Sequence, residues 1–442
     1  MRNASLWRAL VGVDTSVVIE GVEFDQDADQ GAGVLVVHVR PRRARQGRCG
    51  VCGVRASWYD RGEDRRRWRG LDLGTTRVFL EADAPRVDCP RHGPTVRQVP
   101  WARHGAGHTR TFDQQVAWLA TQCSKSAVTT LMRIAWRTVG SIITRVWADT
   151  AAGIDQFAGL TRIGIDEISY KRGHKYLIVV VDHDTGRLVW AAPGRDRATL
   201  RGFFDALEAS GEGRCAQITH VSADGAQWIS DVITQRCPAA VLCADPFHVV
   251  GWATDALDVE RRAAWNTARR APGGTVGNGP SHGGRRRDAT GRARGLKRAR
   301  YALWKNPENL TTHQQVKLDW IARTDPRLYR AYLLKEGPRL IFQLPYGEAV
   351  EALEAWIRWA RRCRLPAFVE LQRRIVKHRH AILAAIEHGL SNGRIESVNT
   401  KIRLITRIAF GFRSPDALIA LAMLNLGGHR PALPGRALPS PP

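Results

Sequence analysis

Three strand-like runs follow one another directly between residues 161 and 193: TRIGIDEISY, HKYLIVVVDHD and GRLVWAAPG. DHDTG is the turn between the second and the third. RATLRGFFDALEAS then reads as an amphipathic helix and QITHVSADG as a fourth strand. A helix starting near Ala226 leads to a fifth strand, AAVLCAD. A fixed succession of strands and helices admits few topologies, so this stretch restricts the fold more than any other. Asp166 stands in the first strand, flanked by apolar residues, and Asp224 ends the fourth.

The order βββαβαβ, with acids at those two places, is that of a ribonuclease-H-like core. Residues 160–427 are expected to form it, interrupted by a basic helical insertion at about 251–390. Within the insertion, residues 271–300 are Gly- and Arg-rich without an apolar period and read as a mobile basic loop. A third acid, Glu396, sits on a helix that opens after the Asn392-Gly393 turn.

Two-metal phosphoryl transfer needs carboxylates that bind two cations about 3.5–4 Å apart. Hard ions such as Mg²⁺ or Mn²⁺ take carboxylate and water oxygens. Asp166 is the natural bridging ligand, with Asp224 completing one site and Glu396 the other. A buried Asp without such a purpose would cost free energy. Asp245 ends the next strand and competes with Asp224 as second acid; it and His248 are read as standing behind the metals or against the substrate, and as core or cap residues otherwise. Asn399, Arg403 and Arg407 follow Glu396 at i+3, i+7 and i+11, on one helix face, where they could meet phosphates. Asp182 and Asp184 belong to the hairpin turn.

Upstream, Cys49-Gly-Val-Cys52 is answered after 36 residues by Cys89-Pro-Arg-His92. Three thiolates and one imidazole form a closed tetrahedral set for structural zinc, with no open position for catalysis. TTRVFLEAD and RVDC read as strands between the knuckles, so residues 1–100 are expected to hold two N-terminal strands and a zinc-ribbon-like finger. The N-terminal pair is SVVIEGVEF and GVLVVHV, joined as a hairpin. Residues 101–155 read as three helices with a helix-turn-helix arrangement. Arg137, Thr138, Ser141, Thr144 and Arg145, on or near the third helix, are the candidates to face a DNA groove; a plain dimerising bundle is the alternative.

Lys and Arg number 67 against 42 Asp and Glu, a net charge of +25. An excess spread along the chain favours a DNA or RNA partner through phosphate contacts and counterion release. No run approaches the ~20 apolar residues of a membrane span. The start lacks the pattern of a signal peptide, so a cytoplasmic protein is expected, with no membrane partner. Cys123, Cys215, Cys237, Cys243 and Cys363 read as ordinary thiols rather than a disulfide framework. Residues 428–442, GHRPALPGRALPSPP, read as a disordered tail.

IGIDEISYKRGHKYLIVVVDHDTGRLVW, VSADGA, ADPFHVV and NGRIESVNTKIRLITRIAFGFR together resemble bacterial insertion-sequence transposases of the ISL-three family. The paired knuckles and the WARHGAGHTR stretch with its helix-turn-helix are similar to that family's N-terminal half. The resemblance runs from about Gly47 to Arg413. It implies a DDE transposase whose metal-binding triad is Asp166, Asp224 and Glu396, acting with two Mg²⁺ or Mn²⁺ ions and one structural Zn²⁺. It also implies that DNA is the substrate, as terminal inverted repeats and target, in the nucleoid-associated cytoplasm. Synapsis of two ends implies a homo-oligomer. A structure-specific nuclease on the same fold and a catalytically dead zinc-finger regulator are the alternatives.

Overall fold

The computed structural model describes residues 2–26, 33–270 and 292–436. Two compact units emerge, Met1–Ile154 with Leu404–Pro442, and Asp155–Arg403.

In the second unit the five expected strands form one sheet. Arg162–Lys171 lies at its centre. Lys175–Asp182 and then Leu188–Pro193 add antiparallel on one side, through short turns. His220–Ala223 and then Val241–Ala244 add parallel on the other. A parallel neighbour needs a long crossover, and the helices Arg197–Ala209 and Gln227–Arg236 supply it. These helices cover one face, where Ile163, Ile165, Val221 and Ala223 pack with Phe203, Phe204, Val232 and Ile233. Side chains alternate across a strand, so Gly164 and Asp166 belong to the opposite face. There the helix Gly393–Ile408 comes so close that a Cβ at Gly164 would run into the Ile395 side chain.

The insertion's first helix, Pro246–Arg270, opens immediately after Asp245. Further helices continue to Arg379–Glu387 around one core that includes Leu257, Leu334, Trp356 and Phe368. The expected basic loop is shorter at its C-terminal end. Residues 271–291 lie outside the described residues, but Arg292–Lys297 and Arg300–Trp304 are helices. Leu296, Ala299 and Leu303 recur at helical spacing among the arginines and are buried in the insertion core. The charge of the surrounding run masks that apolar stripe.

In the first unit, an unexpected helix, Arg2–Leu10, precedes the hairpin of Val17–Asp25 and Val34–Pro41. Four strands, not two, lie between the Cys knuckles, and they alternate between two sheets. Ser57–Asp60 and Arg86–Cys89 join Gly93–Val96 in a three-stranded ribbon. Arg65–Arg69 and Arg77–Asp83 extend the N-terminal hairpin into a four-stranded sheet. Finger and hairpin are therefore woven together around Trp68, Leu80 and Val37, with Trp68 edge-on to Trp101.

Three helices follow, Arg110–Gln122, Lys125–Met132 and Trp136–Ala152. Thr109 and Ser124 cap the first two through their side-chain oxygens. The helix Pro415–Leu426, expected within the catalytic core, packs in this unit against Trp136–Ala152 and Arg110–Gln122. Ala417, Leu418, Leu421, Met423 and Leu424 are buried on it; a helix this apolar needs cover on most sides. Residues 428–436 carry no helix or strand, and the rest of the expected tail lies outside the described residues. Among the described residues no helix is long and apolar enough to cross a membrane.

Asp113 anchors this bundle. It is fully buried and accepts from Arg103, 3.3 Å away, and from Arg145 Nε at 3.1 Å. Asp113→Ala is expected to destabilise the protein by about 3–5 kcal/mol, because Arg103 stays buried with part of its compensation gone. Thermal unfolding of the full chain measures this, and an unchanged midpoint would contradict the anchoring role.

Candidate functional site

The register of the parallel strands lines up three acids. Ile165 pairs with Ala223, and Ala223 with Ala244. Asp166 follows Ile165 within the central strand, while Asp224 and Asp245 stand one residue past the ends of their strands, so the register brings the three side by side across strands about 4.8 Å apart. Asp166 is half-buried, and burial is the main cause that lifts its carboxyl above the usual range. The backbone N–H of Glu167 opposes that rise at 2.7 Å, while Asp245 and Asp224 add to it by repulsion.

Asp224 and Asp245 differ in access. Asp245 is buried and bonded to His248 Nδ1 at 2.6 Å. Asp224 is about one-third exposed, and its Oδ2 lies 4.0 Å from His248 Nε2. His248 therefore stands between the two acids. The Asp245 hydrogen bond raises its imidazole to about 9 against the opposing effect of burial, helped by the charge of Asp224.

The helix Gly393–Ile408 reaches the row through Asn399, not through Glu396. Asn399 is buried and its Nδ2 donates to Asp166 Oδ2 at 2.7 Å. Glu396, in the first turn, is exposed and lies one turn before Asn399, with the roughly 5–6 Å Cβ spacing of an i,i+3 pair. Arg403 and Arg407 are exposed further along.

A buried polar chain docks the start of this helix on the sheet. Ser222 Oγ donates to Asn392 Oδ1 at 2.5 Å and lies 2.7 Å from His183 Nε2. Burial pushes the His183 imidazole down to about 4, so it is neutral at pH 7. With the Ser222 proton directed at Asn392, His183 donates from Nε2. Arg394 adds hydrogen bonds to the carbonyls of His183 and Asp184. Asp182 and Asp184 serve the hairpin turn, where Asp182 accepts from Asp184 N at 2.9 Å and from Thr185 Oγ1 at 2.6 Å.

Sequence reading missed a group beside Asp224. Arg374 lies 3.6 Å over the Trp252 ring, with His378 tilted against the same ring. Trp252 closes on Gly225, where a Cβ would come within 2.7 Å of it. These residues sit on ordinary amphipathic helices of the insertion and carry no local motif.

The finger closes completely. Cys49, Cys52, Cys89 and His92 bring their ligand atoms within 4.8 Å of one another. The Cys52–Cys89 sulfur separation is 3.7 Å, and His92 Nδ1 lies 3.7 Å and 3.5 Å from the Cys49 and Cys89 sulfurs. Tetrahedral zinc with bonds of about 2.3 Å to sulfur and 2.0 Å to nitrogen needs separations of that order. Among the described residues this is the one His, Cys and carboxylate set that closes so tightly; the acids of the row do not. At Gly50, a Cβ would meet the Val96 carbonyl oxygen and the His104 ring at 2.5 Å, so the knuckle requires glycine.

On the third helix, Arg137, Ser141 and Thr144 are exposed and Thr138 is partly so. Arg145 differs from expectation, because its guanidinium is turned to buried Asp113. The buried acid offers it a partner that solvent does not.

Comparison with known proteins agrees with this architecture in three places. A family model described as a transposase matches residues 163–422, more than half of the chain. Residues 97–147 match the helix-turn-helix domain of transposase family ISL3. Residues 45–92 match the zinc-finger of transposases IS204/IS1001/IS1096/IS1165. The chain is 66% identical over 440 residues to the transposase for insertion sequence element IS1557 of Mycobacterium tuberculosis, covering 99% of this chain and 98% of that one. It is 27% identical over 404 residues to the transposase for insertion sequence element IS1001 of Bordetella parapertussis, covering 90% and 92%. A zinc-ribbon segment, a helix-turn-helix and an acid-bearing βββαβαβ core thus occur in one continuous order, and the chain belongs to the ISL3 family of insertion-sequence DNA transposases.

Proposed function

We propose that Asp166, Asp224 and Glu396 hold two divalent ions, Mg²⁺ or Mn²⁺, and that this site cuts element ends and joins them to target DNA. The row formed by Asp166 and by the two acids just past the ends of its parallel neighbours supports this reading most directly. Its donors are hard carboxylate oxygens, and their mutual repulsion at Asp166 is what a bound cation would relieve. When bound, the ions activate the attacking hydroxyl and steady the leaving oxygen.

The chain's own residues divide the remaining work. Asp166, on the central strand of the sheet, stands at one end of the row and is oriented by Asn399. Asp224 is the accessible second acid, whereas buried Asp245 orients His248. Glu396 enters from the helix docked by Ser222, Asn392 and His183. Arg403 and Arg407 are exposed to meet phosphates along that helix. Arg137, Thr138, Ser141 and Thr144 contact the element end, and the finger, loaded with one Zn²⁺, supports that contact. Joining two ends requires two sites in one assembly, so a homo-oligomer acts.

The test is a duplex carrying the inverted repeat that flanks the gene, incubated with Mg²⁺ or Mn²⁺ and target DNA. Joined products are expected. Cleavage without joining would favour a nuclease, and binding without cleavage a regulator.

Asn399→Ala is expected to reduce cleavage about 10–100-fold, the usual effect of removing a partner that orients a metal ligand. Raising the metal concentration should recover part of the loss. A wild-type rate with an unshifted metal titration would remove Asn399 from this role.

A further inference from the structure

The first unit contains a cavity of about 880 Å³ beneath the start of the helix Trp136–Ala152. Lys125 lines it, together with Trp136, Arg137, Phe412, Arg413 and Asp416. Lys125 is 8% exposed. Its ammonium lies 4.8 Å from the Trp136 ring centre and 5.5 Å from that of Phe412. Among the described residues it has no hydrogen-bonded or ion-paired acceptor. Burial accordingly lowers its affinity for the proton.

A buried ammonium without an anion is costly. Ring faces offset only part of that cost. Two further observations concern the same cavity. The helix Trp136–Ala152 begins there with Ala135 as its N-cap, and no side chain caps it. Its first N–H groups therefore lack the partner that a capping oxygen supplies, and a helix N-terminus favours an anion. Arg137 and Arg413 are exposed at the same cavity and form no ion pair among the described residues. Asp416, the one acid lining it, is hydrogen-bonded to Ser414 Oγ at 3.0 Å.

We propose that this cavity is a phosphate site that takes one backbone phosphodiester of bound DNA, held by Lys125 and the helix N-terminus with Arg137 and Arg413 at its mouth. The proposal deepens the reading of this unit as the DNA-binding part and rests on it. A phosphodiester suits the site because its two free oxygens can accept from an ammonium, a helix end and guanidiniums at once. The volume exceeds that of a bare ion and leaves space for the adjoining sugar. Ser141 and Thr144, expected to face a DNA groove, line this concavity as well. Its contribution is therefore to position the backbone, which carries no base information.

The experiment measures binding of the full chain to two duplexes, one with the flanking inverted repeat and one of scrambled sequence, across a range of salt. Lys125→Met is expected to weaken both complexes by a similar factor, about tenfold, and to reduce the slope of log K against log salt by about 1. Arg413→Gln changes only an exposed side chain and should reduce the slope in the same direction, which separates phosphate loss from misfolding. Wild-type affinity and slope in both variants would overturn the phosphate site while leaving DNA binding intact. A wild type that binds neither duplex would instead overturn the DNA-binding reading, and the site with it.

Discussion

Asp166→Asn is expected to abolish cleavage and joining of element ends while the variant binds DNA as well as the wild type. The loss should reach about 10³-fold, roughly 4 kcal/mol, in line with the several kcal/mol that a metal-organised site supplies. The substitution keeps the side chain's shape, and its one carbonyl oxygen can still accept from Asn399, although the Glu167 N–H then loses its acceptor. It removes the charge that the proposed bridging ion would need. It also removes a half-buried carboxylate that Asp224 and Asp245 repel, so the variant should melt no lower than the wild type. Binding, cleavage and melting measured on one preparation therefore separate lost chemistry from lost fold. Cleavage retained at a comparable rate would move the chemistry away from the acid row.

Loss of zinc is expected to have the larger effect on structure. Cys49→Ser, or exhaustive chelation, should release one zinc per chain and unfold the finger. Structural zinc contributes about 10–16 kcal/mol in isolated finger peptides at neutral pH, more than a small domain's whole margin of stability. The backbone N–H of Arg91 is the main influence that draws the Cys89 thiol down to about 6, so a thiolate is available at neutral pH. The finger's strands alternate with those of the N-terminal sheet, and unfolding should spread to Trp68 and Leu80. Element-end binding should fall with it. Elemental analysis and tryptophan fluorescence of wild type and variant report the two steps. An unchanged zinc content in Cys49→Ser would contradict the ligand set.

The second acid shows how far local reading reaches. Asp224 and Asp245 each end an apolar run before a helix, so sequence leaves them as rivals. The sheet makes them neighbours instead and distinguishes them by access: one is a third exposed, the other is buried on His248. Glu396 and Asn399 share a helix face by spacing alone, yet Asn399 is the residue that touches Asp166. Arg145 shares the helix expected to face a DNA groove, yet its guanidinium bonds Asp113, distant in sequence.

Strand order, the three-helix segment and the Cys49, Cys52, Cys89 and His92 set were determined by the sequence itself. Each rests on short-range chemistry: alternation at two residues, apolar recurrence near 3.6, and knuckles whose ligands lie three residues apart. Only the tertiary structure decided which acids share a row, which side chain orients Asp166, and which cation at the third helix lacks an anion. Those outcomes depend on strand register and on the close approach of Ile395 to Gly164. Both arise from burial between residues far apart in the chain, which no local spacing encodes.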